Sequence, residues 1–222
     1  MSDLSTQLPD RLNRPEETGL DPGLLVPLLR LLVDGDPVTI EQLATAAGRT
    51  PEQACNGLAA VPDTEYDDQG RIVGQGLTLR PTPHRFAVAD QELYTWCALD
   101  TLVFPGLLDR AARVESVSPA SGERIVVAVN VDPATGVTRV EPASAVVSLV
   151  NPEQITSIRS SFCDQVHYFT SADDAAGWLA EHPGAQAVPV IEAHRIGIEL
   201  ASHLLDRLRA DAQTADRCHR CC

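Results

Sequence analysis

The stretch TIEQLATAAGRTPEQACNGLAAV, residues 39–61, constrains the fold of this chain more than any other. It holds two helix starts and a helix stop in close succession. Thr39 with Gln42 forms a capping box, Gly48 ends the Ala-rich turn, and Thr50 caps a second helix with Pro51 at its first position. Helix, short Gly turn, helix is a helix-turn-helix pattern. Upstream, DPGLLVPLLRLLVDGDP adds an apolar stripe (Leu24, Leu25, Leu28, Leu29, Leu32), opened by Asp21 and Pro22 and stopped near Gly35. Downstream, TEYDDQGRIVGQGLTLRPTPHRFAVAD alternates around a turn at Asp68–Gly70 and predicts a hairpin, or wing. Residues 21–90 are therefore expected to form a winged-helix-like three-helix unit. A flexible N-terminal arm is expected over residues 1–20, which are polar and without periodicity.

The rest of the chain alternates between strand and helix signals. ELYTWCALDTLVFP, residues 92–105, reads as part of an apolar helix capped by Asp90 and interrupted at Pro105–Gly106. Residues 113–150 are strand-rich with turns at Ser121–Gly122 and Asp132–Gly136, which predicts an antiparallel meander. NPEQITSIRS predicts a short helix opened by Asn151 and Pro152, and SFCDQVHYF a strand. SADDAAGWLAEHPG predicts a helix capped by Ser171, AVPVI a brief strand, and residues 192–210 an amphipathic helix through Ile196, Leu200, Leu204 and Leu208. The expected fold class is α+β, with the winged-helix-like unit packed on a mixed domain of antiparallel strands and helices over 91–210. A Cys-rich flexible tail is expected over 211–222.

The charge balance excludes several functions. The formal net charge is −14, and all 17 basic residues are arginine. A chain without lysine has no Schiff-base nucleophile and no Walker-type phosphate loop. An acidic surface repels phosphates, so no nucleic-acid partner is expected. No apolar run reaches the roughly 18 residues of a membrane span. The opening segment MSDLSTQLPDRLNRPEE lacks the apolar core of an export signal, so a cytoplasmic location is expected. The six cysteines are then mostly reduced, which directs them to metal or nucleophile chemistry.

Among those cysteines, Cys55 reads as a small hydrophobe in an Ala-rich helix. Cys97 and Asp100 are three apart, which on a helix puts both on one face with Cβ atoms about 5–6 Å apart. Trp96, Leu99, Leu102, Val103 and Phe104 surround them, and burial raises the pKa of such a carboxyl. An aspartate so placed can take a proton from a thiol and deliver it elsewhere. On pattern alone, core packing for Cys97 and a loop bond for Asp100 is the favoured reading of the pair, since Cys is common in cores. If SFCDQVHYF alternates as a strand, Cys163, Gln165 and His167 share one face. Spacing does not show whether Cys163 meets Cys97.

Four segments in collinear order resemble the organomercurial (alkylmercury) lyases: DTEYDDQGRIVGQGLTLR, LYTWCALDTLVFP, VSLV at 147–150, and RSSFCDQVHYF. The resemblance spans roughly residues 22–206. It implies that residues 91–210 are an organomercurial lyase catalytic domain, with Cys97 and Cys163 as catalytic cysteines and Asp100 as catalytic aspartate. The implied reaction is protonolysis of a carbon–mercury bond, giving a hydrocarbon and Hg(II) for mercury detoxification. Hg(II) is soft, and thiolate is the softest protein ligand. No cofactor is implied. Hg(II) stays as bound product on Cys97, Cys163 and Asp100 until low-molecular-weight thiols or a mercuric reductase remove it. Tyr94, Trp96, Phe104 and Phe162 are candidates for the pocket holding the organic group. The family often carries cysteines where this chain has Asp164 and Ser118. Alternation points residue 164 away from Cys163, so activity is expected to survive the first change, and the second bears on packing.

Two features lie outside that reading. RCHRCC at 217–222 offers Cys218, Cys221 and Cys222 as candidates for accessory mercury capture. The winged-helix-like unit raises an alternative, a cysteine-based metal-sensing transcription regulator. Its presumptive reading helix, PEQACNGLAAV, contains no basic residue, whereas groove reading needs cations for phosphate. A metal hydrolase finds no H-E-x-x-H motif, and the histidines at 84, 167, 182, 194 and 203 are scattered.

Overall fold

The computed structural model describes residues 4–131, 136–152 and 154–219, with residues 5, 6 and 211–219 described by backbone alone. The chain opens with α1 (Leu4–Leu12) and α2 (Pro15–Thr18), so the arm predicted over 1–20 is instead helical. Leu4, Leu8 and Leu12 recur every four residues, and that stripe is buried in the main core. Polar flanks and Pro9 inside the helix hide it from a periodicity reading.

The next three helices carry caps of the kind read from the sequence. In α3 (Pro22–Leu32) the Asp21 side chain accepts from Gly23 N at 2.8 Å. Both α4 (Ile40–Ala47) and α5 (Pro51–Ala59) have full capping boxes, Thr39 with Gln42 and Thr50 with Gln53, and Gly48 closes α4 at a φ of 64°.

The wing is the edge of a larger sheet. β1 (Glu65–Tyr66), β2 (Ile72–Gln75) and β3 (Leu77–Thr78) run antiparallel. β3 then pairs with β5 (Gln91–Thr95), which pairs with β4 (His84–Val88). Beyond α6 (Asp100–Leu108), the meander β6 (Ala112–Val117), β7 (Arg124–Val129) and β8 (Val137–Glu141) completes an eight-stranded sheet in the order β1-β2-β3-β5-β4-β6-β7-β8. A second sheet holds β9 (Val146–Leu149) between β10 (Tyr168–Phe169) and β11 (Gln186–Pro189). α7 (Ile158–Ser161) precedes β10, α8 (Ala172–Glu181) follows it, and α9 (Val190–His219) ends the described chain. One continuous core runs from α1 through α6 to α9, and α6 is buried on nearly every face.

Three local expectations differ from the structure, the first because of strand pairing. Asp90 is not a helix cap: Gln91–Thr95 is drawn into a hairpin with β4, and Asp90 sits in its turn. The helix predicted from Asn151 begins only at Ile158, capped by Ser157. Residues 211–219, expected as a flexible tail, continue the backbone of α9. The side chain of Cys218 lies outside the described residues, as do Cys221 and Cys222 entirely, and the accessory mercury capture expected of them lies there too.

The β4–β5 hairpin turn is strained. Its two loop residues, Ala89 and Asp90, have φ of 49° and 65°, the positive values a two-residue turn of this hand requires. Alanine is disfavoured there by about 1–2 kcal/mol. Replacing the pair with Asn-Gly is expected to stabilise the fold by about 1–2 kcal/mol, read as a higher urea midpoint at unchanged slope.

Candidate active site

The first sulfur sits on a turn. β5 ends at Thr95, α6 starts at Asp100, and Cys97 lies between them. The predicted single helix carrying Cys97 and Asp100 is thus a strand, a turn and a helix start. The turn is held by Thr95 Oγ1 donating to Cys97 O at 2.9 Å and Thr101 Oγ1 donating to Ala98 O at 2.7 Å. Asp100 N points at Cys97 Sγ at 3.4 Å. The close approach of thiol and carboxylate survives, because a tight turn brings residues three apart together as a helix does.

The second sulfur also leaves its predicted strand. Cys163–Gln165 is a 3₁₀ turn between α7 and the short β10, so the alternation argument does not apply to Cys163 or His167. Val166 O, at the end of this turn, accepts from Ala98 N at 3.0 Å. That bond joins the two cysteine-bearing turns, and a hydrogen bond of 2.7 Å between Tyr168 Oη and Thr101 Oγ1 joins them again.

The result is a compact triangle. One ligand atom each from Cys97, Asp100 and Cys163 lies within 4.8 Å of the others. Cys97 is 1% exposed and Cys163 4%. Asp100 is partly exposed as a residue, yet its Oδ2 is buried without a hydrogen-bond partner. Burial pushes the Asp100 carboxyl up to about 7, partly offset by hydrogen bonds from Cys97 and the backbone. Burial, the hydrogen bond to Cys163 and the charge of Asp100 hold the Cys97 thiol well above its ordinary range. The Cys163 thiol accepts from Cys97, which favours its thiolate; burial and the charges of Asp100, Asp164 and Asp63 outweigh this and raise it. Both sulfurs are therefore kept protonated beside a carboxyl that titrates near neutrality.

A cavity of about 50 Å³ opens onto Asp100 and Cys163. Of the four aromatic candidates, Trp96 and Phe104 line it, whereas Tyr94 and Phe162 do not. Tyr94 lies half-buried on β5, and Phe162 is buried in the core beside α7. The sequence reading missed Leu20, Leu25, Gln75, Gly76 and Ile158 on its walls. Gly76 carried a readable signal: it has a φ of 79°, and a Cβ there would lie 2.7 Å from the Phe104 ring. Ser118 is buried, and its hydroxyl accepts from Ala120 N at 3.1 Å, a packing role away from the triangle.

Comparison with known proteins follows the same segments. A family model described as alkylmercury lyase matches residues 77–202, and one described as the helix-turn-helix domain of alkylmercury lyase matches residues 3–76. An alkylmercury lyase from Streptomyces lividans is 51% identical over 91% of this chain and 93% of its own length. One from Staphylococcus epidermidis is 41% identical over 98% and 97%. The crystal structure of the mercury-bound form of MerB2 superposes with a TM-score of 0.68 at 26% identity, covering 81% of this chain and 90% of that one.

Proposed function

The chain belongs to the alkylmercury lyase family, and from that premise we propose that it cleaves organomercurials by protonolysis on Cys97, Cys163 and Asp100. The observation that carries this reading is the buried triangle of two sulfurs and one carboxylate with an unpartnered oxygen. In balanced form, R–Hg⁺ and two thiols give R–H, Hg(II) held by two thiolates, and one proton. No oxidation state changes.

The geometry supports an order of events. A thiol that coordinates a metal is deprotonated outright. As mercury meets the first sulfur, the released proton passes to Asp100, whose raised pKa lets it hold a proton near neutrality. The second sulfur then adds electron density to mercury and loosens its bond to carbon. The organic group leaves with carbanion character and takes the proton from Asp100 in a pocket with little room for water. Hg(II) leaves by exchange with low-molecular-weight thiols, on the way to a mercuric reductase in the cytoplasm. Among the described residues no helix is long and apolar enough to cross a membrane.

Incubation with methylmercury and excess small thiol is expected to release methane, measured in the headspace, at one equivalent per Hg(II) formed. Absence of methane, with the protein folded and its thiols reduced, would sink the reading.

A further inference from the structure

We propose that Glu65, a buried carboxylate on the wing of the N-terminal unit, is a positioning residue for the active site. It holds the Trp96 wall of the cavity and the Arg159 segment that leads to Cys163. The inference rests on the lyase reading and extends it to the helix-turn-helix unit, which becomes a working part of the site.

Glu65 is 7% exposed, and both of its oxygens are engaged. Oε1 accepts from Trp96 Nε1 at 3.3 Å and from Arg159 Nη1, while Oε2 accepts from Thr78 Oγ1. The backbone is shaped around this carboxylate: a Cβ on Gly74 would lie 2.6 Å from Oε2, so glycine alone lets β2 pass so close. The Arg159 guanidinium then sits 4.9 Å from the centroid of the Trp96 ring, and its Nε is 3.7 Å from Asp164 Oδ1. Trp96 directly precedes Cys97, and Arg159 lies on the helix immediately before the turn of Cys163 and Asp164. A single carboxylate thus ties both sulfur-bearing turns from outside the triangle. Asp63 reinforces the tie by accepting from Ser157 Oγ at 2.6 Å and Arg159 N at 3.1 Å.

An ionised acceptor fixes the plane of the indole, and the guanidinium over its face holds it from the other side. With the charge on Glu65 removed, Arg159 retains only its longer contact to Asp164 and turns toward solvent. Trp96 then loses the support on both sides, and the cavity wall beside Asp100 loosens. The sulfurs themselves remain joined through Ala98 N and Val166 O.

The test compares Glu65→Gln and Arg159→Gln, alone and together, in single-turnover hydrocarbon release from methyl- and arylmercurials. Trp96 emission is followed in a Trp178→Phe background. Each single variant is expected to slow release by about 10–100-fold, the usual effect of an outer partner at a metal-binding group. The double variant should be no slower than the slower single, Arg159→Lys should recover part of the rate, and Trp96 emission should shift to the red. Hg(II) retention against competing thiol should stay nearly unchanged, because the bond from Ala98 N to Val166 O keeps the two sulfurs in place. Release by Glu65→Gln within about twofold of the unsubstituted protein, or losses that multiply in the double variant, would overturn the proposal. Should the unsubstituted protein release no hydrocarbon, the lyase reading fails by itself. In that case an unshifted Trp96 emission in Glu65→Gln overturns the positioning role, and a red shift upholds it.

Discussion

Cys163→Ser is expected to slow methane release from methylmercury by about 10³-fold or more, a loss of roughly 4 kcal/mol in transition-state stabilisation. Serine is nearly isosteric and stays buried, so the turn at 163–165 should keep its shape. Its oxygen is hard and does not ionise near neutrality, so it gives mercury almost nothing. One thiolate with one carbon makes a linear, unreactive mercury, and in the proposed mechanism it is the second sulfur that weakens the bond to carbon. Cys97→Ser should lose as much and also removes the sulfur that faces Asp100 N at 3.4 Å. Single-turnover release, with thermal unfolding as the check on folding, measures both. Full turnover by Cys163→Ser would mean that one sulfur suffices and that the triangle is not the working unit.

What the sequence revealed follows the range of the forces involved. Caps are local: Asp21 with Pro22, Thr39 with Gln42, Thr50 with Pro51 and Ser171 each satisfy backbone groups a few residues away, and all stand as read. LYTWCALDTLVFP was misread because a short apolar run has no period that separates a strand from a helix. Its first part becomes β5 only because β4 and β3 lie on either side to pair with it. In SFCDQVHYF, aromatic and β-branched residues suggest a strand, yet among them only Tyr168 and Phe169 form a strand ladder, on β9. The turn before them is set by Ser148, whose hydroxyl donates to Gln165 O at 2.9 Å and accepts from His167 N at 2.9 Å. No local rule contains such a contact. The proposed roles of Cys97, Cys163 and Asp100 came from the resemblance, and their meeting came from the fold. The Glu65–Arg159–Trp96 tie was legible in neither pattern nor spacing, since its members come from β1, α7 and the turn after β5.

Asp100→Asn is expected to lose activity and to gain stability relative to the unsubstituted protein as the pH rises, and the two effects share one cause. The folded-state pKa of Asp100 is raised to about 7 from an ordinary value of 3.8, chiefly by burial. Below the ordinary value both folded and unfolded chains carry the proton, and Asp100 contributes no pH dependence. Between about pH 4 and 7 the unfolded chain ionises while the folded one keeps its proton, so stability falls as pH rises, and it levels off above 7. A shift of this size corresponds to about 4 kcal/mol, reduced to about 2–4 kcal/mol because the residue is partly open to solvent. Asparagine carries no charge and removes that slope, while its amide adds a pH-independent cost of about 1–3 kcal/mol if left unpaired. The measurement is therefore the difference between the two proteins in urea unfolding at pH 5 and at pH 8. It should move by about 1–2.5 kcal/mol in favour of Asp100→Asn as the pH rises, since the part of the shift below pH 5 lies outside this window. The raised pKas of Cys97 and Cys163 enter both proteins and largely cancel. Over the same range hydrocarbon release by Asp100→Asn should be about 10²–10⁴-fold slower, the contribution of a positioned proton donor. A stability difference that stays flat with pH would mean the carboxyl is solvated, and a solvated carboxyl has no advantage over water in delivering a proton to carbon.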